Sequence, residues 1–174
     1  MIFSETKLSG AYIIDIEKIK DERGFFARTW DKNEFSKLGL ESEFVQSSIS
    51  LNKKKGTIRG MHYQIKPYEE NKIVRCTKGR IFDVIIDIRA DSITFKEWLS
   101  VELSEDNYKI LYIPKGFAHG FQTLEDNSEV VYKISQVYES KFSKGIRWDD
   151  KTMLIKWPLK NIIISERDKS FPEF

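Results

Sequence analysis

The chain contains two histidines, His62 and His119, and each sits in a run dense in functional groups. His62 lies in Thr57-Ile58-Arg59-Gly60-Met61-His62-Tyr63-Gln64, with Lys72 eight residues beyond its end; His119 lies in Pro114-Lys115-Gly116-Phe117-Ala118-His119-Gly120-Phe121. A guanidinium, an imidazole, a phenol and a carboxamide within eight residues are too polar for a plain core strand. Imidazole changes charge near neutrality, so a histidine in an apolar, glycine-marked run is a candidate proton carrier. The plainer reading of either one alone is a histidine held by hydrogen bonds in the core or at the surface. What favours proton transfer is the company the two keep.

These groups need a scaffold, and the chain around them reads as strands. Segments Phe44–Ser50, Thr57–Gln64, Lys72–Thr77, Arg80–Ile88, Trp98–Leu103, Lys109–Ile113, Phe121–Leu124 and Glu129–Val137 carry strand signals. Turn chemistry such as Lys78-Gly79 and Asp126-Asn127-Ser128 separates them. Earlier, residues 10–19 alternate loosely, Asp21-Glu22-Arg23-Gly24 reads as a turn, and Phe25–Trp30 is predicted as a strand. Asp31 is placed to cap a short helix, with Glu34 three residues on and Gly39 as its stop. Lys53-Lys54-Lys55-Gly56 reads as a solvated hairpin tip, and Ser165-Glu166-Arg167-Asp168 as a polar turn or short helix start. Many short strands with few helices predict an all-β sandwich or barrel. In Arg80–Ile88, parity sets Phe82, Val84, Ile86 and Ile88 on one dry face and Asp83 and Asp87 with Ile81 and Ile85 on the other. Such a strand belongs between a packed core and a pocket or second layer. The same parity turns Tyr132 inward beside Val130 and Ile134.

Composition narrows the classes. A length of 174 residues with no linker or repeat is expected to form one domain, residues 1–174. With 40% hydrophobic and 32% charged residues and a net charge of +2, the chain is globular and carries no global field for nucleic acid. The single Cys76 rules out an internal disulfide or a multi-cysteine zinc site and reads as a buried, reduced thiol. Neither a signal-peptide layout nor an apolar run long enough to span a membrane is present, so a reducing cytoplasm is the expected setting.

Seven motifs in order resemble the dTDP-4-dehydrorhamnose 3,5-epimerase family. They are Asp21-Glu22-Arg23-Gly24-Phe25-Phe26, Phe44-Val45-Gln46, the Ile58–Gln64 and Lys72–Cys76 runs, Ile113–Phe121, Gly145-Ile146-Arg147-Trp148-Asp149-Asp150 and Trp157-Pro158. The resemblance runs from about Ser9 to Asp168. It implies a cupin-type jelly roll and a homodimer in which the amino-terminal strand of one subunit completes the other's pocket. It also implies inversion of C3 and C5 of a nucleotide-linked 4-keto-6-deoxyhexose without a metal or redox cofactor.

That reaction needs a base beside a ketone, a stabiliser for the enolate oxygen and an acid on the opposite face. By resemblance His62 is the base, Asp168 orients its imidazole, Lys72 sits at the C4 oxygen and Tyr132 returns a proton. Arg23, Arg59 and Gln46 match positions that hold the diphosphate and sugar, and guanidinium forks suit phosphate. Phe26, Arg28 and Ser48 fall in the same binding set, His119 matches a pocket position near the sugar, and Tyr138 matches the aromatic that stacks on the base. On a regular strand Arg59 and His62 point to opposite faces, and Gly60 offers the bulge or bend that brings both to one pocket.

Four positions depart from the family pattern. Arg28 stands where an acidic residue is usual, Ser48 for asparagine, Glu70 for a frequent glutamine and Ile93 for a loop proline. Arg28 reverses charge at the nucleotide end: a carboxylate accepts from a base N–H, whereas a guanidinium only donates. A GDP-linked 4-keto sugar, such as a heptose, is therefore an alternative substrate, and a C3-only or C5-only epimerase an alternative activity. A metal-dependent cupin would want paired histidines with a nearby carboxylate, and here each histidine stands alone. A non-catalytic sugar-nucleotide binder leaves the base and its partner without a role, and a free-glycan lectin leaves the arginines unexplained.

Overall fold

The computed structural model describes residues 1–174. Its strands form two stacked antiparallel sheets. In spatial order the first holds Ile2–Glu5 (β1), Tyr12–Asp15 (β2), Ile110–Ile113 (β10), Lys72–Lys78 (β7), Ser128–Ile134 (β12) and Gln46–Asn52 (β5). The second holds Ser143–Gly145 (β13), Thr57–Gln64 (β6), Phe117–Thr123 (β11), Arg80–Asp87 (β8) and Trp98–Ser104 (β9). Ile163–Ile164 (β14) runs parallel to the first half of β6, and Ile19–Asp21 (β3) with Gly24–Phe26 (β4) makes a separate hairpin. Successive strands β5 to β8 alternate between the sheets, the pattern of a jelly roll. This is the expected cupin-type, all-β architecture.

Parity sorts the side chains into layers. On β8, Ile81 and Ile85 turn toward the opposing sheet, where with Phe117 and Phe121 of the neighbouring β11 they meet Val74 and Cys76 of β7 and Val130 of β12. Val84 and Ile86, from the dry face, pack with Met61, Ala118, Ile146 and Met153 under the carboxy-terminal segment. Both faces of β8 are covered, as its mixed and dry sides predict. Outside the first sheet, Lys32–Lys37 (α1) seals Ile14, Ile73, Ile110 and Tyr112 with the fully buried Phe35. Asp31 caps this helix by accepting from the backbone N–H groups of Asn33 (3.0 Å) and Glu34 (3.1 Å), and Gly39 follows its end at φ +69°. Truncating a buried phenylalanine such as Phe35 typically costs about 3–5 kcal/mol.

Three sequence expectations need correction. The strand placed at Phe25–Trp30 is only the short β4, because its pairing with β3 ends at Phe26 opposite Ile19. Lys53–Gly56 is a turn but not a hairpin tip: β5 and β6 on either side of it lie in different sheets. The strand begun at Phe121 starts four residues earlier, at Phe117, since β8 pairs along the whole of β11. Cys76 is buried and free, and burial pushes its thiol up to about 11. No helix is long and apolar enough to cross a membrane.

Candidate active site

Toward one end of the sandwich the inward positions change from apolar to polar, and there the sheets enclose a cavity of about 290 Å³. The same parity that buries Val74 and Cys76 turns Lys72 into this cavity from β7, and the parity of Val130 turns in Tyr132 from β12. Gln46, Ser48 and Ser50 enter from β5, and His119 enters from β11 between the core residues Phe117 and Phe121.

β6 reaches the cavity by a break in register. His62 pairs with His119, but Arg59 pairs with Phe121, so three steps on β6 oppose two on β11. The extra residue is a bulge at Gly60, whose φ of +123° suits glycine. A Cβ there would lie 2.5 Å from the Gly120 Cα and 2.7 Å from the His119 carbonyl oxygen. The bulge leaves Arg59 and His62 both lining the cavity, with Met61 between them in the outer cluster. This is the device that Gly60 suggests in the sequence.

Asp168, 106 residues from His62, arrives through β14. That strand runs parallel to β6 beside Thr57 and Ile58, and the chain then turns into Glu166–Lys169 (α2), capped by the Ser165 hydroxyl accepting from the Asp168 N–H. Asp168 Oδ1 lies 2.8 Å from His62 Nε2, and its Oδ2 accepts from the Gly60 N–H at 3.1 Å. Burial pushes the Asp168 carboxyl up, but its bonds to His62 and Gly60 and the imidazole charge outweigh this and hold it below the ordinary range.

A second imidazole–carboxylate pair lies deeper. His119 Nε2 is 2.9 and 3.1 Å from the two oxygens of Asp83, which is fully buried on β8. Here burial prevails over His119 and the more distant Lys72, and the carboxyl is pushed up. Burial likewise raises Tyr132, assisted by the charge of Asp83, so its phenol keeps its proton. Lys72 Nζ pairs with Glu70 Oε1 at 2.8 Å, and Glu70 Oε2 accepts from Gln64 Nε2 at 2.8 Å. Arg59 Nε donates to Asn52 Oδ1 at 2.7 Å, and Gln46 Oε1 accepts from the Tyr138 N–H at 3.0 Å.

Of the residues singled out in the sequence, Gln46, Ser48, Arg59, His62, Lys72, His119, Tyr132 and Tyr138 line one cavity, with Asp168 behind His62. Arg23, Phe26 and Arg28 do not line it. Arg23 is exposed and bonded to Asp21, Phe26 is 64% exposed, and Arg28 Nε lies 3.5 Å from Asp31 Oδ2. Asp83, Asn52, Ser50, Ser143 and Arg167 also reach the cavity or its lining groups, with no site role expected for them from the sequence. Parity on β8 marks Asp83 as inward, and Asn52 continues the every-second-residue row of Gln46, Ser48 and Ser50. Ser143 and Arg167 leave no such trace, because tertiary packing brings them to the cavity mouth. No three His, Cys, Asp or Glu side chains converge as a metal-binding group.

A family model for dTDP-4-dehydrorhamnose 3,5-epimerase matches residues 5–174. An enzyme of that name from Shigella flexneri is 42% identical over 171 residues, covering 98% of this chain and 94% of its own. The crystal structure of the Bacillus anthracis enzyme, with TDP and pyrophosphate bound, is similar at TM-score 0.96 and 39% identity over 99% of both chains. The Legionella pneumophila enzyme in complex with dTDP-4-keto-L-rhamnose is similar at TM-score 0.93 and 34% identity, over 99% of this chain and 92% of that one.

Proposed function

Because the chain belongs to the dTDP-4-dehydrorhamnose 3,5-epimerase family, we propose that it inverts C3 and C5 of a dTDP-linked 4-keto-6-deoxyhexose by proton abstraction and return beside the C4 ketone. The observation that carries this reading is the placement of His62 and Tyr132. They enter one cavity from opposing sheets, β6 and β12, as inversion demands of a base and an acid. With Nε2 engaged by Asp168, His62 Nδ1 is the ring nitrogen left to take the substrate proton. The broken C–H bond leaves its electron pair on C4–O as an enolate, beside the Lys72 ammonium. Tyr132, held protonated by burial, delivers a proton to the other face, and solvent restores both groups. General acid–base catalysis of this kind contributes about 10²–10⁴-fold, and a placed charge at the enolate oxygen about 10²–10³-fold.

Arg59 and Gln46 are assigned to the diphosphate and sugar, Ser48 and His119 to the sugar end, and Tyr138 to the base. Arg23, Phe26 and Arg28 are assigned to the cavity of a second copy, reached by exchange of the amino-terminal segment in a homodimer. In support, the β3–β4 hairpin holds Ile19, Phe25 and Phe26 exposed and away from its own cavity. The unit is a single domain over residues 1–174 acting in the cytoplasm, a setting suited to the lone reduced Cys76.

Incubation in deuterated water with dTDP- and GDP-linked 4-keto-6-deoxyglucose tests the reading. Two deuteriums at C3 and C5 of the dTDP sugar are expected. One deuterium would mean a single-centre epimerase, exchange of the GDP sugar alone would make Arg28 a determinant of the base, and no exchange with either would overturn the proposal.

A further inference from the structure

The motif Gly145–Asp150 takes no part in the chemistry above, yet the carboxy-terminal tail is docked on it. The Arg147 N–H donates to the Pro172 carbonyl at 3.0 Å, and the Phe174 N–H donates to Asp150 Oδ2 at 2.7 Å. Immediately before these anchors Phe171 is held against His62, its ring centroid 5.7 Å from the imidazole and its plane at 80° to it. The Arg167 guanidinium lies 5.8 Å from the other partner of this contact, the Phe171 ring.

The slot for that ring is built into β13. Gly145 is the cross-strand partner of His62, and a Cβ on it would fall 2.3, 2.4 and 2.6 Å from three ring carbons of Phe171. Gly145 does not have a positive φ, so its backbone would accept alanine. Glycine is needed here for space, and the space is filled by Phe171. Phe171 is not among the residues lining the cavity, so it touches the imidazole and not the ligand space.

We infer that Phe171, seated in the slot that Gly145 leaves beside His62, is a positioning residue that keeps the imidazole aligned between Asp168 and the substrate. The inference rests on the reading of His62 as the base. Asp168 holds His62 by one nitrogen, and the torsion that tips an imidazole ring is broad, so one hydrogen bond does not fix the ring plane. An edge-to-face aromatic contact limits tipping, and a small misplacement of a reacting group is costly in rate.

The test is a double-mutant cycle on the full chain with dTDP-4-keto-6-deoxyglucose, with kcat and KM measured separately. Phe171→Ala is expected to lower kcat about tenfold and to leave KM within about twofold. Gly145→Ala is expected to lower kcat similarly by expelling the ring. The double variant should be no worse than the poorer single one, because the added methyl then occupies vacated space. Of the two histidine imidazole NMR signals, that of His62 should move in Phe171→Ala and that of His119 should stay. Phe171→Leu keeps apolar volume without the ring and is expected to show an intermediate loss; it replaces Phe171→Ala in the cycle if that variant does not fold. An unchanged kcat, losses that multiply, or equal movement of both imidazole signals would overturn the inference. His62→Asn separates the two layers of argument. If it turns over normally, the base reading fails; if it is inactive beside a fully active Phe171 variant, only the positioning role fails.

Discussion

The molecule holds two histidine–aspartate pairs on neighbouring strands, with His62 and His119 opposite each other in register. Their chemistry is nevertheless different. His62 is 39% exposed at its side chain and Asp168 6%, whereas His119 is 6% and Asp83 is fully buried. Asp168 has a backbone donor, Gly60, besides its imidazole; the Asp83 carboxylate is bonded only to His119. The first carboxyl is accordingly held low and the second pushed up. Identical residue types thus give one pair with a secured anion next to an accessible imidazole, and one pair whose charge is penalised by burial. The first suits a base that must accept a proton and be stabilised as it does so; the second suits a fixed wall of the cavity.

The largest expected effect breaks the pairs at their histidines. His62→Asn should lower kcat by about 10²–10⁴-fold, the usual contribution of a general base. His119→Asn should act mainly on KM, by about tenfold, the scale of one lost hydrogen bond to a bound sugar. Steady-state kinetics on both variants decides it, and equal loss of kcat would erase the distinction between the pairs.

A smaller effect is expected at the carboxylates. Asp168→Asn leaves an imidazole without its anionic partner and should cost about 10²-fold in kcat. Asp83→Asn removes a group already disfavoured as an anion and should cost less. A larger loss for Asp83→Asn would show that the buried pair takes part in proton transfer.

The smallest effect, and the most discriminating, is the sign of the pH dependence of stability. The Asp168 carboxyl is lowered on folding, so its contribution is present above the unfolded value, near 3.9, and is lost as pH falls through the folded one. The advantage of the wild type over Asp168→Asn in denaturant unfolding should therefore shrink on acidification. The Asp83 carboxyl is raised, so the folded state is penalised as pH rises from the unfolded value through the folded one. Asp83→Asn should gain on the wild type in that direction. Asp87 supplies a reference outside the cavity. Burial raises it, but bonds from Arg89, Ser92 and Thr94 prevail and hold it at about 2. Asp87→Asn should lose about 2 kcal/mol near neutrality and almost nothing near pH 2. Parallel slopes for Asp168→Asn and Asp83→Asn would sink the comparison.

Much of this was legible before any fold was in view. The bounds of β6 match the strand expected at Thr57–Gln64, and the faces of β8 follow from alternation, because a period of two is imposed by the backbone itself. The Asp31 cap follows from side-chain chemistry within three residues. The inward turn of Tyr132 is a matter of counting along its strand from Val130, whereas Lys72 is placed by resemblance. By contrast, the reach of Asp168 to His62 depends on β14 lying parallel to β6, and that of Asp83 to His119 on the pairing of β8 with β11. Phe25–Trp30 misled because aromatic residues favour strands, while strand formation there ends where the partner strand ends.

By itself the sequence determined the family resemblance, an all-β sandwich or barrel and the residue types available for proton transfer, since these rest on motif order, local period and composition. The pairing of Asp168 with His62 is implied by resemblance and the bend at Gly60 is expected from the glycine; only the tertiary structure decided that His119 also has a carboxylate partner, the buried Asp83, and that Phe171 fills the place beside Gly145. Each of these depends on register between segments distant in the chain, and register is set by packing and burial across the whole sandwich.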